Sequence, residues 1–265
     1  MDQPAGQPLT GGFITSSVTR SGNTVRRTAG PWSPAVHAWL AHLAQAGAGV
    51  APRPVRLIPA AGIEEVTCIE GIALSGGASP GYLWRDDTLA RLARLVRRFH
   101  DAAASFTPPA DAAWQQTAAF AGGGEVICHN DLAPGNTVFA RERPVAFIDG
   151  DLAAPGPRWW DVSFAIWHFV PLYGDSATDP FGMAQFEPRA RRTRLFSDAC
   201  GLQDRGELVD KILERQRACR RAIRPAADAG DPAYQRLRDM GAGAGIRRQI
   251  GCVLARRSAL QDALA

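Results

Sequence analysis

The stretch Cys128-His129-Asn130-Asp131-Leu132-Ala133-Pro134-Gly135-Asn136, followed by Phe147-Ile148-Asp149-Gly150-Asp151, concentrates side chains that bind metals and move protons. An aspartate and, five residues on, an asparagine flank a Pro-Gly turn, so one tight loop can present both on the same side of a cleft. Asp149 ends the next apolar run and can close an oxygen-lined site from the far side. Phosphoryl transfer asks for little more: a carboxylate to orient the attacking hydroxyl, oxygen ligands for magnesium, and cations around the phosphates. Magnesium suits so sparse a protein ligand set, because phosphate oxygens and waters complete its octahedron. Other readings compete for these residues. Asp131 and Asn136 could do no more than form turns around Pro134-Gly135. Cys128, His129 and Asp131 could bind zinc, but neighbours on an extended strand point to opposite faces. A hydrolase using His129 would need a nucleophile, and the chain has no G-x-S-x-G elbow.

The elements that must position these residues change character along the chain. The first eighty residues read as short strands broken by glycine turns, with Leu9 to Gly12 ending in a Gly-Gly pair. Ser17 to Arg20 and Thr24 to Arg27 flank Ser21-Gly22-Asn23, a hairpin signal. Ser33 and Pro34 suit the start of a helix to about Ala46 that buries Val36, Trp39, Leu40 and Leu43. Strands are expected at Pro54 to Ile58 and Glu64 to Ile69. After the loop Ser75 to Gly81, Asp87 can cap a helix in which Leu89, Leu92, Ala93, Val96, Phe99 and Ala103 recur at helical spacing. Two short apolar strands, Val126 to Cys128 and Val145 to Ile148, bracket the catalytic candidates. Beyond Pro157 the pattern is helical: Asp204 with Glu207 makes a capping-box pattern, Asp231-Pro232 starts another helix, and Ile246 to Leu264 reads as the last. The fold class is α+β, a small mixed lobe over residues 1–74 followed by a larger, mainly helical lobe over residues 75–265.

Composition excludes several classes. The chain has 265 residues, 46% hydrophobic and 21% charged, the balance of a globular protein. No apolar run reaches membrane-spanning length, and Met1 to Thr10 has no signal-peptide core, so a cytoplasmic protein that does not engage the membrane is expected. The five cysteines are scattered and form no CxxC pair, which points to neither a disulfide framework nor a zinc knuckle. The net charge of +4 comes from arginines spread along amphipathic helices, without the aromatic interleaving that tracks nucleic acid. Lys211 is the single lysine.

The pattern H-x-D-x-x-x-x-N, then an aspartate after an apolar strand, follows the catalytic-loop and metal-loop order of eukaryotic-type kinases. The segment Val126 to Asp161 resembles the aminoglycoside phosphotransferase and choline kinase-like family, whose loop reads H-G/N-D-x-x-x-x-N and whose metal segment reads I-D-x-D/E. The resemblance is weaker over the upper lobe and only generally helical beyond about Pro171. It implies a two-lobed protein kinase-like fold and an ATP-dependent kinase, with GTP as a possible alternative donor and Mg2+ as cofactor. Carried over by position, Asp131 is the catalytic base, Asn136 and Asp149 hold the metal, His129 orients the loop, and Asp161 braces it from a following helix. Asp151 either assists the metal or occupies a solvated turn.

The resemblance also implies a third-strand cation on the phosphates, steadied by an acid on the next helix. Lysine is usual there; this chain must use an arginine from Thr24-Val25-Arg26-Arg27, and Arg26, which follows the apolar Val25, is the residue expected to face the nucleotide. The helix acid is replaced by His37 or Val36. Gly11 and Gly12 could fold over the nucleotide, and the backbone at Cys68 and Ile69 would meet the base as the hinge between lobes. Trp159, Trp160, His100 and His168 read as structural. Only eleven residues separate Asp149 from Asp161, with no A-P-E element, so a small hydroxylated acceptor is favoured over a protein. Asp175, Asp179, Glu187 and Asp198 could line a pocket for a polycation, but Arg189, Arg191, Arg192 and Arg194 crowd the same region and favour a neutral or anionic acceptor. The alternative is a non-catalytic nucleotide-binding relative acting in regulation or self-immunity.

Overall fold

A computed structural model describes residues 7–9, 18–74, 80–172 and 186–265. The upper lobe is a five-stranded antiparallel sheet, order β1-β2-β3-β5-β4, built from β1 (Gln7–Pro8), β2 (Thr19–Ser21), β3 (Thr24–Thr28), β4 (Pro54–Ile58) and β5 (Ile63–Thr67). Helix α1 (Ser33–Gln45) packs against β4 and buries Val36, Trp39, Leu40 and Leu43, the stripe expected from the sequence. The register between β3 and β5 sets Arg26 opposite Glu65 and Arg27 opposite Glu64. Side chains on a strand alternate between faces, so these two Arg–Glu pairs stand on opposite sides of the sheet.

The chain crosses between lobes at 68–71. Gly71 has φ of +145°, and a Cβ there would lie 2.6 Å from the Phe139 carbonyl oxygen, so the crossing needs glycine for its backbone and for its space. The next residues, β6 (Ile72–Ala73), already belong to the lower lobe, where they pair with β8 (Thr137–Ala140), itself paired with β9 (Arg143–Phe147). Strand β7 (Val126–Cys128) pairs with β10 (Ala154–Gly156). The apolar run before Asp149 is therefore half of a hairpin, whose other strand, β8, was not expected.

Helix α2 (Asp86–Ala103) is the lower lobe's central helix; it starts one residue before the predicted cap, and all six of its predicted apolar positions are buried. Its Phe99 meets Trp39 of α1 edge-on at 5.4 Å and Phe147 of β9 at 5.5 Å, so one apolar core runs through both lobes. Helices α3 (Arg158–Phe169), α4 (Phe186–Cys200), α5 (Leu208–Asp228), α6 (Pro232–Asp239), α7 (Ala242–Ala255) and α8 (Arg257–Leu264) complete the lobe.

Two local expectations fail. Asp204 accepts from the Gly206 amide instead of capping α5, which starts at Leu208 without a side-chain cap. The expected last helix is two helices, broken at Arg256, where φ is −121°. The break lets Leu260 and Leu264 turn into the core beside α4, while Val253 stays buried on α7, which packs on α5. Asp231 caps α6 as predicted, accepting from the Ala233 and Tyr234 amides.

Candidate active site

The catalytic candidates sit on a loop whose shape is set by buried hydrogen bonds. Asp161, in the first turn of α3 and fully buried, accepts the His129 amide on one oxygen at 2.7 Å and the Asn130 amide on the other at 2.8 Å. His100 of α2 adds a ring nitrogen 3.0 Å from Asp161. Burial alone would raise the Asp161 carboxyl, but the contacts with His100 and with the loop amide outweigh it and hold it below the usual range. Asn130 takes a left-handed backbone, φ +67°, and its side-chain amide donates to the Leu152 carbonyl at 2.7 Å. Its own carbonyl accepts from Arg215 of α5 at 2.7 Å. That guanidinium is buried and lies over Trp160 and Phe164, with 4.5 and 4.7 Å to the ring centroids.

His129 links the loop to the strand before Asp149. Its Nε2 donates to the Ile148 carbonyl at 2.9 Å, and its Nδ1 accepts the Asp131 amide at 3.3 Å. Both contacts need the same neutral tautomer, so both ring nitrogens are spent on holding the loop. The Ile148 amide in turn donates to the Asn136 carbonyl at 2.9 Å.

Within this frame the Asn136 side-chain amide donates to Asp131 twice, to Oδ2 at 2.7 Å and to the carbonyl at 3.1 Å. Its amide oxygen is thereby directed away from Asp131. Asn136 and Asp149 both line the interlobe cleft, a cavity of about 380 Å³. Asp149 is held in the left-handed region, φ +64°, a conformation that non-glycine residues adopt mainly where the surroundings enforce it. Asp131 is half-buried; burial raises its carboxyl above the usual range, with Asp149 adding to the rise and Arg215 and the Asn136 hydrogen bond opposing it.

The upper lobe corrects the choice between the two arginines. Arg26 does not face the cleft: it pairs with Glu65 at 2.7 Å on the opposite side of the sheet, and Arg56 joins the same carboxylate at 3.0 Å. Following an apolar residue did not decide the face; the register with β5 did. Arg27 points into the cleft and is buried among three carboxylates. Its Nε meets Glu64, its Nη1 lies 2.7 Å from Asp149, and its Nη2 lies 2.7 Å from Asp151. Burial disfavours its charge, but the three carboxylates more than compensate and its pKa is raised. His37 of α1 stands 3.3 Å from the other Glu64 oxygen. Burial pushes Asp151 up to about 7, with Asp149 and Glu64 in the same direction and Arg27 against them. Asp151 is therefore a buried member of the cluster, not a solvated turn residue.

Three carboxylates around one guanidinium leave an excess of negative charge, and the available donors are hard oxygens. That set fits a hard divalent cation, and Asn136 and Asp149 are the residues that could hold it. By contrast, His100, Cys128 and Asp161 come close enough to share a metal but are fully buried, and both Asp161 oxygens already hold the loop amides. Burial also keeps the Cys128 thiol well above its usual pKa, and so un-ionised.

At the hinge, the Cys68 amide donates to the Asn23 carbonyl at 2.8 Å. Among the described residues the Cys68 carbonyl and the Ile69 amide have no backbone partner. Gly11, Gly12, Asp175 and Asp179 lie outside the described residues, as does the side chain of Glu187. The arginines of α4 do not report on an acceptor. Arg191 and Arg192 both lie 2.7 Å from Asp86, Arg189 is buried, and Arg194 and Arg205 both approach Asp198. Sequence reading missed Glu64 and Arg215. An acid inside a predicted strand was a signal for the first; a basic residue amid the apolar positions of a helix, for the second.

A small antiparallel lobe hinged over a helical lobe, with an Asp–Asn loop and a strand-end aspartate at their junction, is the protein kinase-like architecture. The chain belongs to the phosphotransferase enzyme family, which its residues 81–196 match. It is similar to the trifolitoxin immunity protein of Rhizobium leguminosarum bv. trifolii, 32% identical over 237 residues that cover 85% of this chain and 88% of that one. Among solved structures it resembles a choline/ethanolamine kinase family protein from Mesorhizobium loti (TM-score 0.63, 16% identity, 97% of this chain and 92% of that one). It also resembles the aminoglycoside phosphotransferase APH(3'')-Id of Streptomyces rimosus, solved with ADP and streptomycin (TM-score 0.56, 15% identity, 82% of this chain and 94% of that one). No helix among the described residues is long and apolar enough to cross a membrane.

Proposed function

We propose that this chain transfers the γ-phosphoryl group of ATP or GTP to a hydroxyl of a small molecule, with Mg2+ held by Asn136 and Asp149. The observation that carries the reading is the arrangement around the cleft: Asp131 hydrogen-bonded to Asn136, and Asp149 and Arg27 on the same cavity. Asp131, its carboxyl raised by burial, is suited to take the acceptor's proton. As that proton moves to Asp131, the acceptor oxygen bonds to the γ-phosphorus, the bond to the bridging oxygen breaks, and the nucleoside diphosphate leaves. Magnesium supplies charge neutralisation on the phosphate oxygens when bound. Asn136 fixes the Asp131 carboxylate through one end of its amide and offers the metal the other. His129 and Asp161 hold the loop without touching substrate, and Val25, Val66 and Val138 give the cleft apolar walls for a base. The ADP in the Streptomyces rimosus structure supports nucleotide binding in a cleft of this fold.

A second reading, a nucleotide-binding immunity protein without turnover, is favoured by one observation. Arg27, the residue that should meet phosphate, is engaged by three carboxylates. The name of the Rhizobium relative supports immunity as the biological role under either reading. The test is Mg2+-ATP and Mg2+-GTP turnover against a panel of hydroxylated metabolites, antibiotics and toxins, beside Asp131→Ala. Phosphotransfer that the variant loses by roughly two orders of magnitude or more supports the kinase. Binding of Mg2+-nucleotide without turnover on any acceptor, with the Asp131→Ala chain equally protective in cells, would overturn it in favour of the binding module.

A further inference from the structure

The acid that kinases place on the helix after the third strand has no counterpart on α1, where His37 stands instead. The charge is supplied from another element. Glu64 of β5 is fully buried, lies directly across the sheet from Arg27, and meets the guanidinium on its Nε side. The two terminal nitrogens point the other way, to Asp149 and Asp151. His37 lies against the second Glu64 oxygen, so the carboxylate is fixed from both ends.

We propose that Glu64 is a positioning residue that holds Arg27 by its Nε as a pivot, leaving Nη1 and Nη2 to exchange Asp149 and Asp151 for phosphate oxygens when metal and nucleotide enter. The inference rests on the phosphotransfer reading and adds to it the means by which a closed cleft opens. An arginine is needed for this, because its planar fork offers a fixed Nε edge and a separate pair of terminal donors, whereas an ammonium is a single point charge. A divalent cation at Asp149 would replace the guanidinium's charge there, so Nη1 can leave without stranding that carboxylate. Because the hold comes from a neighbouring strand, the phosphate clamp forms within the sheet, with His37 of α1 backing the Glu64 carboxylate.

Calorimetric titration of the wild-type chain and of Glu64→Gln with ADP, at several Mg2+ concentrations, tests this. The amide keeps the side chain's size and one acceptor but not its charge, so packing alone changes little. Without the pivot's charge the guanidinium rests more tightly on Asp149 and Asp151, and the site attracts the metal less. Both effects raise the Kd for Mg2+-ADP, by roughly tenfold or more, which is the loss of one charge-assisted hydrogen bond. The Mg2+ concentration at half-maximal binding rises with it, a shift that a merely structural role would not produce, and Glu64→Asp recovers part of the loss. The Arg27 Nε–H resonance, assigned by its disappearance in Arg27→Lys, should persist when wild type is saturated with Mg2+-ADP. A Glu64→Gln chain that is folded and binds Mg2+-ADP within twofold of wild type overturns the pivot, as does loss of that resonance on saturation. Either result leaves Asp131→Ala as a separate test of phosphotransfer. A wild-type chain that binds no Mg2+-ADP overturns both.

Discussion

The two sides of the cleft are built by different means. Below, the catalytic loop is a contiguous stretch of sequence, held by one buried aspartate that collects two successive backbone amides and a histidine. Above, Arg27 is held from two distant parts of the chain, Glu64 on one side and Asp149 with Asp151 on the other, and His37 stands behind Glu64. The lower arrangement satisfies polar groups that any version of the loop would have to bury. The upper one balances charges that could be rearranged, and its buried acid comes from β5 where the kinase pattern has one on a helix. A loop wired through its own backbone admits little substitution; a clamp wired through side chains can be rebuilt from a different element.

The contrast can be broken or sharpened by substitution. The largest effect is expected at Asp161→Ala, which strands two amides and the His100 ring in the core. A loss of about 4 kcal/mol in urea unfolding is expected, with no turnover. Since the folded carboxyl is held below its ordinary value, its contribution is complete at neutral and mildly acid pH and is lost only as pH falls through that depressed pKa. Arg27→Met should cost less, about 2–3 kcal/mol, because Asp149 keeps access to solvent and His37 remains beside Glu64. Its nucleotide affinity should nonetheless collapse in the titration that measures wild type. Arg26→Ala is the smallest, within about 1 kcal/mol and without effect on nucleotide binding, since its Glu65 partner retains Arg56. Equal effects at positions 26 and 27 would falsify the assignment of faces.

What was legible in the sequence follows the same division. The 129–136 loop, the strand before Asp149 and the bracing Asp161 could be read in order, because the groups that meet in space are near in sequence or at a characteristic spacing. The stripes of α1 and α2 were legible from helical periodicity. The face of Arg27 was not, because it depends on a register between strands nearly forty residues apart, and one residue of slip reverses every side chain. Glu64 was hidden for the same reason: nothing local separates it from Glu65, which faces the other way. Strand β8 went unnoticed because Thr137–Ala140 is only four residues long and follows directly on the catalytic loop. The crowd of arginines on α4 suggested an acceptor preference, but Arg191 and Arg192 pair with Asp86 of α2, and Arg194 with Asp198 of α4 itself.

Trp39 shows how the halves are joined. Its ring lies edge-on to Phe99, and a Cβ on Gly150 would come within 3.1 Å of it, so α1 is seated on the turn that carries Asp149. The helix therefore ties roof to floor: it packs on β4 above, on α2 below and on the turn that carries Asp149, so a single element spans both walls of the cleft.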